Sequence, residues 1–587
     1  MKKGFTLLLI LFAFLSINAQ KKDQPKDTVK TEVVNVVTKY NPKIADAKKI
    51  KIDPKIKLLK QNEKKKLKYT IFSAPVASTF IPKSGVVKGI DVGVKERVYK
   101  NYLALGFGNY TTPFFETFLH HNTRFKNEFG FNSKYLSSLE NVKNSVLKSN
   151  FTNFNIGAYY KQNDRYFDWK VALNSERNLY NWYGLPDLVF TEPTTNAINP
   201  EQVYNYFELL GEFNFKDSYI DYGKIKTSYY TDSYKSSEIL GKFSSKLNFP
   251  LTFLNSTFND VSIKNSVEFL KGNFKNSYKD LNSVNYSTIT VNINPYYKIN
   301  ENSFQLKFGA NLIASFDPEN SSTNTFIIPN LYLQAPIYKQ YLHFYGGYNG
   351  DLKTNTFKNL TEENPYLSPT LFITQTLEKY NGFVGLRGNI TNDISYNIKG
   401  SMRFEEDKPL FVRNASKSNG TNNAINGNTL KGYEYGNSFN LYYDDIKTNS
   451  IYLELEYDFS RYLSFKTQGV YNNYTLEYGL NAWNLPSIEA SFSAKYNNNK
   501  WYASADVFYV DERKDVLYNA QFPSSLKGIE TLSSFVDLNL NGGYHFNDKF
   551  SAFLKINNAL NTDYQRFANF NTQGFQILGG ITYKFDF

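Results

Sequence analysis

The feature that most constrains the fold is a two-residue alternation that runs to the end of the chain. In the last stretch, Phe575, Ile577, Ile581, Tyr583, Phe585 and Phe587 share one parity, and Thr582, Lys584 and Asp586 the other. Gly579 is the gap in the apolar row and Leu578 the exception in the polar one. Successive side chains of a strand point to opposite faces, so the segment has one aromatic, greasy face and one polar or small face. The strand before it repeats the pattern, with Val536, Leu538, Leu540, Tyr544 and Phe546 set against Asp537, Asn539, Asn541 and His545. Asn547 and Asp548 then supply a tight turn. Such strands suit a wall between lipid and water; a soluble sandwich shares the period, so the choice rests on the rest of the chain.

Of 587 residues, 50 are Phe and 47 Tyr, yet mean hydropathy is only −0.48. Beyond residue 20 no run approaches the roughly 20 apolar residues of a spanning helix. Alternating strands hide half of their hydrophobicity from a hydropathy window, so this pattern is compatible with a membrane. Residues 1–19, with Lys2 and Lys3 ahead of an apolar run and Ala19 at its end, read as a secretory signal peptide. The chain has no Cys, which excludes disulfides and a lipid-bearing cysteine. Residues 21–100 carry 21 Lys and Arg against 8 Asp and Glu, whereas 101–587 carry 44 against 46. The basic charge therefore belongs to one exported arm, which fits a solvated or anionic-surface segment and not nucleic-acid binding.

Residues 20–68 form a Lys-rich arm, expected in the periplasm, with Pro25, Pro42 and Pro54 and few aromatics. Residues 69–100, punctuated by Pro75, Pro82, Gly85, Gly89 and Gly93, read as an irregular segment able to insert into something larger. The alternating pattern fills 101–587. Short links fall at 122–125, 162–165, 216–218, 300–302, 338–340, 391–393, 460–462, 497–499 and 547–549. Longer ones lie between them at 177–201, 272–283, 351–375, 407–434, 475–486, 513–532 and 558–572. This alternation of periplasmic turns and outer loops is the signature of a transmembrane barrel. The order holds only if 437–459 is one long strand projecting beyond the membrane. Two links depart from it, 247–258 being long for a turn and 109–112 short for an outer loop. The count is then eleven up-down pairs, and the predicted fold class is all-β: a 22-stranded antiparallel transmembrane β-barrel in the cell outer membrane, in contact with its lipid, with a short, mostly irregular N-terminal arm.

The stretch Asn557, Asn558, Ala559, Leu560, Asn561, Thr562, Asp563, Tyr564, followed by Gly574, Phe575 and the closing Gly579 to Phe585, resembles the end of TonB-dependent receptors. The resemblance covers 100–587 as architecture and about the last 30 residues as motif. It implies a 22-stranded barrel that imports bulky nutrients, coupled to an inner-membrane TonB-type energy transducer. The family's plug is a folded domain with Arg-Gly motifs. Here 21–100 is shorter, and Arg97 is its only Arg, so 69–100 is expected to be a reduced plug-like segment. Glu32, Val33, Val34, Asn35, Val36 and Val37 resemble a TonB box, the β-prone peptide that adds a strand to the transducer. An ordinary apolar patch in a solvated arm reads the same.

Little points to catalysis. His120 and His121 are adjacent and face opposite sides of a strand, so they do not share one metal without a bulge. Ser, Asp and His are too thinly matched for a triad. No enzyme, metal or cofactor is expected. Glu405, Glu406 and Asp407, with Asp444 and Asp445, are hard oxygen donors at the outer rim, suited either to Ca²⁺ or to a solvated loop. Glu454, Glu456 and Asp458 fall on the inward parity of one strand and Lys399 and Arg403 on that of the strand before it, a lumen lining in which neighbours neutralise one another. Two roles follow: uptake or binding of a bulky nutrient, or a non-transporting barrel that scaffolds an outer-membrane partner protein.

Overall fold

The computed structural model describes residues 98–123, 126–186, 190–250, 261–301, 303–519 and 524–587. The signal peptide, the Lys-rich arm, the segment Glu32 to Val37 and nearly all of 69–100 lie outside these. The described chain forms one 22-stranded antiparallel sheet that closes on itself. Closure is made by the first strand, Asn101–Gly108, pairing with the last, Gln576–Phe585, from Asn101 opposite Phe585 to Gly108 opposite Leu578. A ring leaves no unpaired edge, which is what a β-structure in hydrocarbon requires.

The alternation sets the two faces. Leu105, Phe107, Leu173, Phe207, Leu453 and Ile581 stand exposed on the outside. At the short-turn end many exposed residues are aromatic, among them Tyr166, Tyr219, Tyr338, Phe459, Trp501 and Phe546. They form the interfacial girdle of a membrane barrel. Inside, Phe553 takes the place left by two glycines, since a Cβ on Gly106 would lie 3.2 Å from its ring and one on Gly580 would overlap it.

The long-strand reading holds. Phe439–Ser460 is one strand of 22 residues, paired throughout with Ile394–Arg413 from Phe439 opposite Arg413 to Tyr457 opposite Ile394. Its other neighbour, Leu463–Leu476, reaches only Ile446, so 439–445 stands above that side of the wall. Glu405 and Lys408 flank a bulge, with Asp407 at φ 51° inside it. Such an extra residue bends the ribbon and increases its twist. Three outer connections are short, at 109–111, 233–236 and 318–321. The remaining outer connections carry all the folded structure described below.

Parity can be tested at two neighbouring strands. Leu453→Arg puts a charge on the outer face and is expected to cost about 2–4 kcal/mol near the midplane. Gln468→Arg, on the inner face opposite Glu454, is expected to assemble like the parent. Heat-modifiable mobility on gels after refolding into vesicles measures both, and equal assembly of the two rejects the assigned faces.

Candidate functional site at the outer mouth

The strongest concentration of buried aromatic residues lies where the outer connections meet, not in the wall. Trp182, Tyr204, Tyr230, Phe274, Phe357, Tyr366, Leu367, Leu371, Tyr433, Phe439, Phe567 and Phe570 make one core. Its members come from strands on one side of the ring, Glu201–Phe215, Ile220–Asp232 and Val261–Phe274, and from the start of Phe439–Ser460. Others come from connections 182–200, 354–375, 414–438 and 558–575, which rise elsewhere around it. Side chains that start so far apart on a ring and touch in one core lie across its mouth.

Connection 354–375 is the centre of this cap. Its sequence sets a short helix, Phe357–Glu363, with Thr356 as N-cap accepting from the Asn359 N–H at 3.1 Å. Phe357 and Leu360, three apart, turn to the same face and are buried. Leu367 and Leu371 further along are fully buried. At about 1.5–3 kcal/mol for each large side chain removed from water, these four hold the connection down by roughly 10 kcal/mol before ordering entropy is charged.

Most polar groups that enter this core are paired, as burial demands, Asn364 Nδ2 being an exception. Glu238 accepts from the Phe357 N–H at 2.6 Å, the Lys358 N–H at 3.3 Å and the Tyr286 hydroxyl at 2.8 Å. Tyr204 donates to the Pro365 carbonyl at 3.0 Å, Trp182 Nε1–H to the Tyr366 carbonyl at 3.1 Å, and Arg566 Nη2 to the Glu363 carbonyl at 2.8 Å. Tyr366 stacks on Phe570 with ring centroids 3.8 Å apart. Asn437 Nδ2 bridges the Trp182 and Gly432 carbonyls at 2.6 and 2.8 Å. The hairpin of Arg513–Tyr518 and Leu526–Leu532 joins in through Arg413, whose Nη2 meets Glu530 at 2.7 Å.

The candidates read from the sequence fall elsewhere. Glu454, Glu456 and Asp458 alternate with the exposed Ile451, Leu453 and Leu455 and so face inward. Lys399 and Arg403 lie on the neighbouring strand. Register puts Lys399 opposite Tyr452 and Arg403 opposite Thr448, displaced along the strand from the carboxylates. Lys399 lies 5.4 Å from the Tyr452 ring centroid, and Arg403 pairs with Glu405 at 3.4 Å. Lys466, on the other neighbouring strand, bridges Glu454 at 2.9 Å and Glu456 at 2.8 Å.

The rim acids are also used internally. Glu405 is held by Lys353 at 3.0 Å and Lys408 at 2.6 Å as well as Arg403, and Asp444 caps the turn at Glu477, Tyr478 and Gly479. No group of three or more His, Asp or Glu suited to a metal occurs among the described residues. His120 hydrogen-bonds Tyr159 at 3.0 Å. Below the cap a cavity of about 370 Å³ is lined by Lys226, Lys242, Glu268, Asn292, Asn294 and Lys358 among others. Several of its lysines are matched by acids, Lys226 with Glu208 at 2.7 Å and Lys242 with Glu268 at 2.6 Å.

The C-terminal motif has a local structural role. Asn558, at φ 47°, accepts from the Thr562 N–H at 2.9 Å and donates to the Thr562 carbonyl at 2.9 Å, while Asn561, at φ 51°, accepts from Phe575 N–H at 2.8 Å. Tyr564 stacks on Phe535 at 4.0 Å. The motif thus shapes the connection that leads into the closing strand.

The closed ring, its girdle and its folded outer connections define a 22-stranded membrane β-barrel. Solved structures share the fold. The FrpB iron transporter from Neisseria meningitidis (F5-1 variant) aligns with TM-score 0.62 at 11% identity over 84% of this chain and 83% of that one. The ferripyoverdine receptor of the outer membrane of Pseudomonas aeruginosa aligns with TM-score 0.59 at 11% identity over 83% and 72%. The ferric enterobactin receptor PfeA of the same organism, as the R480A_Q482A mutant, gives 0.57 at 9% over 83% and 80%. No family model and no curated protein matches the sequence.

The outer hairpin carries a titratable weak point. Asp515 is fully buried there, accepting from the Val516 N–H at 2.8 Å and the Arg413 N–H at 3.3 Å. Burial, only partly offset by Arg413, pushes its carboxyl up to about 6. The unfolded chain releases that proton near pH 3.9, so the folded state binds more protons between those values. Stability of the hairpin therefore falls as pH rises from about 4 to about 6, by at most about 3 kcal/mol, and is level above. Asp515→Asn is expected to flatten this dependence, read as the rate of limited proteolysis at the hairpin from pH 4 to 7.

Proposed function

We propose that the chain is an outer-membrane receptor that binds a bulky solute at its outer mouth and passes it through the lumen to the periplasm. The observation that carries this reading is a 22-stranded barrel whose outer connections fold into one aromatic assembly, on a fold shared with receptors and transporters named for iron compounds. In this reading 20–68 is a periplasmic arm, Glu32 to Val37 is the strand offered to a TonB-type transducer, and 69–100 is a reduced plug-like segment. Glu454, Glu456, Asp458, Lys399 and Arg403 line the path, and the protein is not an enzyme. Deleting the gene is expected to reduce uptake of one member of a panel of ferric chelates, cobalamin and oligosaccharides at least tenfold, with complementation restoring it. Wild-type uptake across the panel rejects the transport role.

A second reading is favoured by the core that the outer connections build together. A barrel whose outer connections pack on one another suits a scaffold for an outer-membrane partner protein. Isolation from gently solubilised membranes separates the two: a stoichiometric partner together with unchanged uptake supports the scaffold, and a chain recovered alone removes it.

A further inference from the structure

A ring of 22 strands is too wide for its wall side chains to fill, so something must close it. The connection 354–375 leaves the strand Leu342–Lys353 at the outer rim and returns to Thr376–Asn389. It folds into the mouth with Phe357, Leu367 and Leu371 fully buried against residues of other connections. Two sets of contacts hold it. At its start, Glu238 on the strand Ser237–Phe249, five strands away round the ring, takes the first two N–H groups of the helix, an arrangement favoured by the positive end of the helix dipole. At its far end the chain pairs with the projecting strand. The Ser368 N–H donates to the Phe439 carbonyl at 2.8 Å, the Phe439 N–H donates to the Tyr366 carbonyl at 3.0 Å, and Asn414 Nδ2 donates to Ser368 Oγ at 3.2 Å. Tyr230 and Thr361 hydroxyls meet at 2.6 Å in between. Removing any part of the segment strands buried partners of the rest, so intermediate positions are costly and the segment keeps or leaves its seat as a unit.

We infer that connection 354–375 is the seal of the outer mouth: seated, it shuts the lumen without help from any other chain, and withdrawn as a unit it opens it, with Glu238 as its latch. This goes beyond the receptor reading and is independent of which solute crosses. The test uses the full chain in planar lipid bilayers with no ligand present. The parent is expected to be silent. A variant in which 357–371 is replaced by a Gly-Ser linker of equal length is expected to show steady current at least tenfold above the parent. Glu238→Ala is expected to flicker between closed and open levels, and Glu238→Gln, which keeps an acceptor for the helix, to open less often than Glu238→Ala. Heat-modifiable mobility confirms that each barrel is assembled. Steady large current through the parent overturns the seal, as does a silent linker variant whose barrel is assembled. Equal closure of parent and Glu238→Ala overturns the latch. None of these outcomes bears on uptake, so the receptor reading fails or stands by its own measurement.

Discussion

Everything in this molecule depends on the rule that backbone polar groups in hydrocarbon must pair within the protein. The pairing of Asn101–Gly108 with Gln576–Phe585 satisfies it for the two strands that are otherwise edges. Once the ring is closed, strand alternation assigns each side chain to lipid or to the interior without further choice. The outer face needs only apolar bulk and an aromatic border. The inner face must reconcile many charges in a confined space, and does so with local pairs such as Lys466 between Glu454 and Glu456.

Closure of the wall creates the second problem, a lumen wider than side chains can span. The chain answers it with the same physical means that a soluble domain uses. Four outer connections bury large aromatic residues together and pair the polar groups that burial strands. The hydroxyls of Tyr204 and Tyr230 and the indole N–H of Trp182 each find a partner on connection 354–375 or its helix. Tyr suits this place because its ring supplies buried area while its hydroxyl satisfies a backbone carbonyl. The excess of Tyr in the composition is thus shared among the lipid border, the cap and the inner face, where Tyr345 bonds Asn397 and Tyr452 bonds Glu454.

The fold was legible because its signal is periodic and repeated. Parity at Phe575 to Phe587 and the alternation of short and long links led to the strand count, and treating 437–459 as one strand preserved it. The cap was much less legible. The chain 351–375 reads as a long loop, since its core contacts come from residues such as Trp182, Glu238 and Phe439, remote in sequence and visible only after the ring has closed. A local hint existed in the spacing of Phe357 and Leu360 behind Thr356, a helix start followed by one apolar face. The charge pairs were only partly legible. Parity puts Lys399 and Arg403 on the inner face but says nothing about register, and register also brings Lys466 to Glu454 and Glu456.

The aromatic make-up of the cap has a chemical consequence. The whole chain has no Cys and only two Met, Met1 and Met402, the latter exposed on the outer face of the wall. The core across the mouth therefore contains neither thiol nor thioether. Sulfur side chains are where oxidants most readily turn an apolar group into a polar one, loosening a core. A surface structure built from Phe, Tyr, Leu and Trp in their place lacks the side chains that oxidants attack first.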